Sequence, residues 1–197
     1  LSGYNDFYVV ITHTHGDHVG GLGLWAQYCF FVLHKKITIL APSDEVRADI
    51  ETILKIEGNE KNWYNLSTID EDIPYGGVVY FYPILTRHSP QLEGKCFGYF
   101  IELSQFVEDQ FIYTGDTSTL EPFEGYFLAY KIHEVYVDVS VFYGQIHLKL
   151  EDALPELVKL TKMRKRGIKV YLMHLDDVEA AEKIIADIPN IEIVTLS

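Results

Sequence analysis

The chain has 197 residues, of which 48% are hydrophobic, and carries a formal net charge of −13 at pH 7. This length and apolar content suffice for one hydrophobic core, so we predict a single domain spanning residues 1–197. The acidic balance argues against a protein that binds long nucleic acid through its phosphates, because that mode requires basic surface. A small anionic substrate remains compatible, since bound cations reverse the charge inside a site.

The two cysteines, Cys29 and Cys96, lie in apolar or aromatic surroundings. We predict buried thiols in a reducing compartment and no disulfide framework. The most apolar run, residues 22–33, is too short and too interrupted to span a membrane. These features favour a cytoplasmic protein without a membrane partner. Because the sequence begins at Leu1 and not at Met, an N-terminal signal stays open.

Three histidines and an aspartate fall within six residues, in the run His13-Thr14-His15-Gly16-Asp17-His18. The run follows an apolar strand-like segment, in which residues two apart point to the same side, so His13 and His15 can bind one ion together. We expect a turn at Gly16 to direct Asp17 and His18 to a neighbouring position. The spacing therefore predicts two metal ions side by side, the alternative being unrelated polar residues in a surface turn.

Strand-like and helix-like segments alternate along the chain, which predicts sheets covered by helices. The strands are expected over residues 7–11, 37–40, 78–85, 96–103, 110–113, 134–140, 168–173 and 191–196. Helices are expected over 24–33, 151–166 and 177–188, and the nearly all-apolar segment 24–33 predicts a buried helix. A further helix is expected after Ser43, with an apolar face of Val46, Ile50, Ile53 and Leu54. Residues 58–68 are polar and predict a loop, and the aromatic region 120–132 is not assigned.

Further residues with metal-ligand chemistry lie where predicted strands end. His88, Asp116 and His174 each follow a strand, and His147 lies in a loop that leads into a helix. His34 and His133 instead lie beside charged residues at segment ends and are predicted to be surface residues. Seven side chains thus form the candidate ligand set: His13, His15, Asp17, His18, His88, Asp116 and His174.

These residues resemble the metallo-β-lactamase family, in particular its ribonuclease Z-like phosphodiesterase branch. The resemblance implies an αββα sandwich, with the strands that usually precede the motif short or missing in this chain. It also implies two zinc ions, although manganese and iron accept the same ligands. One ion would take His13, His15 and His88, and the other Asp17, His18 and His174. Asp116 would bridge the two, as a carboxylate can when ions lie roughly 3.5–4 Å apart.

A further pair, Asp138 and His147, resembles the acidic residue and histidine proton donor of ribonuclease Z, with aspartate in place of that family's glutamate. An imidazolium held by a carboxylate is suited to protonate a poor leaving group near neutral pH. We predict that His147, Asp138 and Asp17 take part in catalysis. The alternative is that His147 merely caps a helix and Asp138 is a polar residue at a sheet edge.

The long basic arm with which ribonuclease Z clasps transfer RNA has no counterpart between Gly98 and Asp116, where the short acidic pair Glu108-Asp109 lies. The chain is more similar to the phage and bacterial anti-Pycsar enzymes, which implies hydrolysis of cyclic nucleotides such as cyclic CMP and cyclic UMP, and also of cyclic AMP and cyclic GMP, to evade antiphage immunity. It also implies a homodimer, in the host cytoplasm if the protein is phage-encoded. Three alternatives stay open: a ribonuclease Z-like nuclease, a lactonase or thioester hydrolase, and a non-catalytic cyclic-nucleotide binding module.

Aromatic side chains near the candidate site are possible platforms for a nucleotide base. They comprise Phe142, Tyr143, Phe123, Tyr126 and Phe127. No base contact is assigned to any one of them, because aromatic residues make up 14% of the chain and core packing accounts for most such positions.

Overall fold

A computed structural model describes residues 4, 6–103, 110–142, 144–163 and 167–194. The chain divides into two compact units, Leu1–Glu71 and Asp72–Ser197, each with its own sheet. The expectation of a single domain stays a prediction. Over the described ranges, none of the helices combines the length and apolar character needed to cross a membrane.

The first unit contains a three-stranded parallel sheet with strand order β1-β2-β3. The strands are β1 (Phe7–Val10), β2 (Ile37–Ala41) and β3 (Tyr64–Thr68). The helices are α1 (Gly16–Val19), α2 (Leu22–Phe31) and α3 (Asp44–Ile56). The central strand β2 is buried at four of its five positions, as expected for a parallel strand that is covered on both faces.

Helix α3 forms where the sequence predicts it. The Val46 backbone N–H donates to the Ser43 hydroxyl at 3.3 Å, which caps the helix, and Asp44 and Glu45 occupy the first turn. Val46, Ile50 and Leu54 are fully buried. The predicted amphipathic helix is therefore confirmed.

Two expectations for this unit are wrong. The segment 58–68 is not all loop, because its second half forms β3, which pairs in parallel with β2. Helix α2 is not buried all round: Ala26 and Cys29 are enclosed, but Leu24 is 74% and Phe31 54% exposed. A nearly uniform apolar sequence carries no periodicity, so it cannot indicate which face of a helix is covered.

The second unit contains a six-stranded mixed sheet with strand order β4-β5-β6-β7-β8-β9. The strands are β4 (Val79–Leu85), β5 (Phe97–Leu103), β6 (Gln110–Tyr113), β7 (Ile132–Asp138), β8 (Lys169–Met173) and β9 (Ile191–Ile193). Strand β5 is antiparallel to both neighbours, and β6 to β9 are parallel. Pro83 lies within β4, which is an edge strand of this sheet, where a missing N–H is tolerated.

Three helices accompany this sheet: α4 (Glu124–Ala129), α5 (Leu150–Thr161) and α6 (Val178–Ile185). Short 3-10 helices occur at Pro90–Leu92 and Glu121–Phe123. One hydrophobic core joins the sheet to these helices and includes Ile112, Val135, Val170 and Leu157, all fully buried. The ends predicted for α5 and β9, residues 164–166 and 195–196, lie outside the described residues.

Candidate metal centre

Ligand-type side chains of the second unit lie at one edge of its sheet. The parallel strands β6, β7 and β8 end at Tyr113, Asp138 and Met173, so that Asp116, Asp138 and His174 follow or terminate adjacent strands. Strand β4 runs in the same direction as β6, because each is antiparallel to β5, and His88 lies three residues beyond its end. The carboxyl edge of parallel strands is the usual place for a ligand site in α/β folds.

A tight turn after β6 presents Asp116. Gly115 has φ +58°, a left-handed conformation that favours glycine. The Thr86 hydroxyl donates to the Asp116 backbone carbonyl at 3.1 Å, which ties this turn to the end of β4. The Asp116 side chain is only 4% exposed, so its carboxylate has lost most of its contact with water. A buried carboxylate requires positive charge or hydrogen bonds nearby.

Asp116 faces two histidines with the same oxygen. His88 Nε2 lies 3.6 Å and His174 Nε2 4.0 Å from Asp116 Oδ2. Two atoms that bind one zinc ion at about 2.0–2.2 Å lie less than roughly 4.4 Å apart, so each separation suits an ion held by Asp116 and that histidine. The His88 Nδ1–H donates to the Ile146 carbonyl at 2.7 Å, which leaves Nε2 as the lone-pair nitrogen that faces Asp116.

Asp138 and His147 form a close hydrogen-bonded pair. Asp138 is fully buried, and its Oδ2 lies 2.8 Å from His147 Nδ1. The same oxygen accepts the Thr117 backbone N–H at 3.0 Å. Because a carboxylate only accepts, His147 carries its proton on Nδ1, and Nε2 faces away from this bond. His147 does not cap α5, whose N-cap is Lys149 and has no side-chain cap hydrogen bond.

The hydrogen bond that His147 donates to Asp138 raises the pKa of His147 above its ordinary value of 6.5. Partial burial of the ring acts in the opposite direction, while the negative charges of Asp138 and Asp116 add to the increase. The net effect stabilises the imidazolium form relative to that of an unperturbed histidine. This arrangement has the chemistry of a proton donor.

The second oxygen of Asp138 reaches another histidine, a contact that the sequence does not predict. His174 Nδ1 lies 3.3 Å from Asp138 Oδ1, and His174 Nε2 is the atom that faces Asp116. Asp138 is therefore shared between His147 and His174, whose ring centroids are 5.0 Å apart. A carboxylate behind a histidine commonly fixes the ring of a metal ligand.

His174 also has an unusual backbone conformation. Its φ of +58° is left-handed, which costs energy for any residue other than glycine. The strained residue directly follows β8, and its side chain is 37% exposed. Backbone strain of this kind is retained where surrounding interactions hold a side chain in a functional position.

The first unit brings together the histidines of the opening motif. His13 Nε2 lies 3.1 Å from His15 Nδ1, and the His13 and His18 ring centroids are 4.1 Å apart. The Thr12 hydroxyl lies 3.0 Å from His13 Nδ1. Two ring nitrogens at 3.1 Å have the separation of two ligands on one ion. The Thr12 hydroxyl is the hydrogen-bond partner of the other His13 ring nitrogen, Nδ1.

The expected turn at Gly16 is instead the start of α1, a helix of four residues. A Cβ added at Gly16 would meet no atom within 4 Å, so no close approach requires glycine there. Asp17 and His18 are successive residues of this helix, with His18 Nε2 3.6 Å from Asp17 Oδ2. The Asp17 side chain is 62% exposed, whereas that of His18 is 19% exposed.

The donor sets in both units fit divalent metal ions. In the second unit, Asp116, Asp138, His147 and His174 each offer a ligand atom within 4.8 Å of the others. Imidazole nitrogens and carboxylate oxygens are common ligands of zinc, manganese and iron. The His13 and His15 pair of the first unit offers the same chemistry.

Asp176 is a polar residue of this region that sequence reasoning missed. Its carboxylate accepts hydrogen bonds from the Ser140 hydroxyl at 2.5 Å, the Val141 N–H at 2.7 Å and the Phe142 N–H at 3.2 Å. Burial alone would raise the pKa of Asp176, but these hydrogen bonds outweigh it and lower the pKa. No sequence pattern indicates this role, because it depends on two loops that are 34–36 residues apart.

Most of the aromatic residues considered for base stacking are not available for it. Phe123 and Phe127 are buried in the core at 0% and 3% exposure. Tyr126 is half-buried and stacks on Tyr130. Phe142 is 60% exposed, and Tyr143 lies outside the described residues.

The two non-ligand histidines differ from each other. His34 is exposed, as predicted. His133 is half-buried on β7, and its Nε2 is enclosed without a hydrogen-bond partner among the residues that the structure describes. The prediction of a surface residue is therefore right for His34 and wrong for the ring of His133.

Comparison with solved structures defines the class of protein. The chain superposes on the metallo-β-lactamase fold protein YhfI from Bacillus subtilis with a TM-score of 0.66, over 96% of this chain and 75% of that one, at 17% identity. An isothiocyanate hydrolase from Delia radicum gut bacteria gives a TM-score of 0.65, over 95% of this chain and 75% of that one, at 16% identity. The chain has the metallo-β-lactamase fold.

Sequence comparison then gives the family. The family model of the Anti-Pycsar protein Apyc1 matches residues 4–191, and the chain belongs to this family. A curated relative, the Anti-Pycsar protein Apyc1 of Bacillus phage 010DV004, is 29% identical over 188 residues, which covers 86% of this chain and 68% of the relative.

Proposed function

We propose that this chain is a dinuclear metal-dependent phosphodiesterase that hydrolyses cyclic nucleoside monophosphates to linear nucleotides and thereby counters Pycsar antiphage immunity. The substrates would be cyclic CMP and cyclic UMP, and also cyclic AMP and cyclic GMP. The observation that carries the proposal is the hydrogen bond of 2.8 Å between His147 Nδ1 and Asp138 Oδ2, with Asp116 Oδ2 3.9 Å from the same nitrogen. Membership of the Anti-Pycsar family supports the cyclic-nucleotide substrate.

The proposed ligands divide into two sets around one shared carboxylate. His13, His15 and His88 would hold one zinc ion, Asp17, His18 and His174 the other, and Asp116 would contact both. Manganese or iron would suit the same donors. When bound, such ions supply the Lewis-acid charge that activates water and neutralises phosphoryl oxygens. The approach of His88 and His174 to Asp116 Oδ2 supports Asp116 as the shared ligand.

His147 would protonate the departing ribose oxygen. Its Nδ1–H is held by Asp138, so the proton that is transferred comes from Nε2. An alkoxide is a poor leaving group unless it is protonated, and the raised pKa of His147 keeps a larger fraction of its ring protonated at a given pH than in an unperturbed histidine. Asp138 keeps the ring oriented and compensates its charge, and it would not itself exchange the proton.

The charge of the chain favours a small substrate. A net charge of −13 repels a long polyanion, whereas a cyclic mononucleotide carries one phosphate charge, which a local cation can compensate. Phe142, 60% exposed in the loop that leads to His147, is the remaining described candidate for stacking on the base. A homodimer and a cytoplasmic location, which would be the host cytoplasm if the protein is phage-encoded, complete the proposal.

A substrate panel tests the proposal. Purified protein would be incubated with cyclic CMP, cyclic UMP, cyclic AMP, cyclic GMP, a bis-aryl phosphodiester, a lactone and a short RNA, each with and without a chelator. We expect chelator-sensitive conversion of the cyclic nucleotides to 5′- or 3′-monophosphates. Chromatography with mass detection identifies the product, whose mass exceeds that of the substrate by one water.

Each alternative function gives a different result in the panel. Preferential cleavage of the RNA, with binding that weakens as salt rises, would contradict the small-substrate proposal and favour a nuclease. Turnover of the lactone without turnover of any phosphodiester would indicate a different hydrolase. Tight binding of a cyclic nucleotide without turnover would indicate a binding module.

A further inference from the structure

Two loops at the carboxyl edge of the second-unit sheet carry the histidines that contact Asp138. The first loop connects β7 to α5 and carries His147, and the second connects β8 to α6 and carries His174. Both rings depend on these loops for their position, because neither histidine lies within a strand or helix. Whatever joins the two loops therefore controls the relative placement of the two rings.

Asp176 joins these two loops through hydrogen bonds to the backbone and to a side chain of the first loop. It lies two residues after His174 and accepts three hydrogen bonds from the start of the His147 loop, at Ser140 Oγ, Val141 N and Phe142 N, at distances of 2.5, 2.7 and 3.2 Å. Both carboxylate oxygens are used, since Oδ1 accepts from Val141 and Oδ2 from Ser140 and Phe142. A charged acceptor makes such hydrogen bonds stronger than a neutral one does.

The point of attachment matters for His147. The Ser140 N–H donates to the Leu148 carbonyl at 2.8 Å, and the Leu150 N–H donates to the Ser140 carbonyl at 2.9 Å. Ser140 thus closes the loop at its base, with His147 just inside the closure. A side chain that holds Ser140 and the two following residues holds the base from which His147 reaches Asp138.

We propose that Asp176 is a positioning residue that fixes the His147 loop against the His174 loop, so that both imidazoles keep their contacts with Asp138. This role rests on the proposed function of His147 as the proton donor. Asp176 contacts neither ring in the hydrogen bonds described, and it acts through the backbone of residues 140–142. A displacement of about 1 Å in a proton donor can cost on the order of 10²-fold in rate.

The adjacent residue supplies a matched control. Asp177 is the N-cap of α6 and accepts the Ala180 N–H at 2.9 Å, but it makes no described hydrogen bond to the His147 loop. Asp176→Ala and Asp177→Ala each remove one carboxylate that accepts backbone hydrogen bonds. The carboxamide in Asp176→Asn keeps one oxygen acceptor, while its NH₂ group cannot accept the backbone N–H that it faces, which is that of Val141 or that of Phe142 depending on the amide orientation.

The experiment compares Asp176→Ala, Asp176→Asn and Asp177→Ala with the unmodified protein. With cyclic CMP and matched zinc content, we expect kcat to fall by about 10- to 100-fold in Asp176→Ala and by less in Asp176→Asn, with KM changed less than about threefold. Asp177→Ala should keep kcat within about twofold and lose only thermal stability, as for any lost N-cap. Ring ¹H–¹⁵N NMR signals of chelator-treated protein should move for His147 and His174 in both Asp176 variants and stay in place in Asp177→Ala.

Three results would overturn the positioning role: unchanged kcat in Asp176→Ala, unmoved ring signals of His147 and His174, or an equal loss of kcat in Asp177→Ala. Should Asp176→Ala not fold, Asp176→Asn carries the same comparison. If the unmodified protein turns over no cyclic nucleotide, the proposed function fails, yet the ring signals of the metal-free variants still decide whether Asp176 positions the two histidines.

Discussion

At the scale of single residues, Asp138 links two histidines of the candidate site. It is fully buried and contacts His147 with one oxygen and His174 with the other. The sequence pairs it with His147 alone, because the resemblance to ribonuclease Z concerns the proton donor. The second contact requires the carboxyl ends of β7 and β8 to be neighbours, which sequence alone does not establish.

Replacing His147 with alanine should slow the hydrolysis of cyclic nucleotides by about 10²–10⁴-fold, the usual range for a lost general acid. Zinc content should stay the same, because His147, although it lies within the donor cluster of the second unit, is hydrogen-bonded to Asp138 and is not among the seven proposed metal ligands. Steady-state kinetics together with metal analysis checks both expectations. His34→Asn is the matched control, since His34 is exposed and asparagine tolerates its φ of +55°. Loss of zinc in His147→Ala would show that the acid assignment is wrong.

The pH dependence of kcat should report the hydrogen bond between His147 and Asp138. A general acid works only when protonated, so the rate should fall as pH rises through the His147 pKa, which Asp138 raises above 6.5. Asp138→Asn removes the negative charge, and the descending limb should then move to lower pH. The measurement is kcat against pH at matched zinc content, because Asp138 also contacts His174. An unchanged descending limb would contradict the assignment of His147.

Both cysteines should be unreactive in the native protein. Cys29 is 0% and Cys96 1% exposed, and burial raises the pKa of Cys96 to about 11. Since only the thiolate reacts, neither thiol should react with Ellman's reagent at pH 8 within minutes, whereas both should react in guanidinium chloride. Rapid labelling of the folded protein would show that one of these regions opens readily.

At the scale of elements, strand packing holds the Asp116 turn in place. Gly98 of β5 lies so close to the end of β6 that an added Cβ would come within 2.4 Å of the Thr114 carbonyl oxygen and 2.7 Å of Phe123 Cζ. Thr114 precedes the left-handed Gly115, and its hydroxyl accepts the Asp138 N–H at 3.0 Å. A displacement of the Thr114 backbone would therefore shift both Asp116 and Asp138.

Gly98→Ala should lower the free energy of unfolding by about 1–3 kcal/mol, as overpacked sites do, and should also reduce activity. Gly125→Ala is the control, because a Cβ there meets no atom within 4 Å and alanine in helix α4 should stabilise by up to about 1 kcal/mol. Urea unfolding followed by circular dichroism measures both variants. If Gly98→Ala is as stable as the unmodified protein, the close approach of β5 and β6 does not require glycine at position 98.

Elements with strong periodicity or dense β-branched and aromatic runs are predictable from the sequence, and β6 and α3 lie where expected. Strand β3 is not recognisable from the sequence because Tyr64 is its one buried position and Leu66 is the one apolar residue among the other four. Its parallel pairing with β2 stabilises it, and that is a long-range property. The ligand-type residues were recognisable because they follow apolar strands, whereas Asp176 and the second contact of Asp138 depend on which loops meet.

At the scale of the whole molecule, metal binding should contribute to stability. Ions that bind only the folded state stabilise it by about 2.7 kcal/mol at a concentration 100 times Kd. For a chain of 197 residues, each kcal/mol shifts Tm by roughly 2–4 °C, so we expect a chelator to lower Tm by about 5–10 °C. Differential scanning calorimetry with and without chelator measures the shift. Asp116→Ala should abolish most of it, because both proposed ions share that residue.

The net charge of −13 also bears on which molecules the chain binds. If metal ions occupy the candidate site, positive charge is confined to that site while the rest of the protein is acidic. This distribution favours binding of one small phosphate compound and disfavours binding of a long polyanion. The cyclic mononucleotide proposed as substrate is of this size.

The most direct test is to titrate zinc into chelator-stripped protein while following the conversion of cyclic CMP. We expect no turnover in the stripped protein and a rise in rate that saturates near two zinc ions per chain, with a linear nucleoside monophosphate as product. Equal turnover before and after stripping, or no turnover of any cyclic nucleotide at saturating zinc, would contradict the proposal that these histidines and aspartates form a dinuclear phosphodiesterase site.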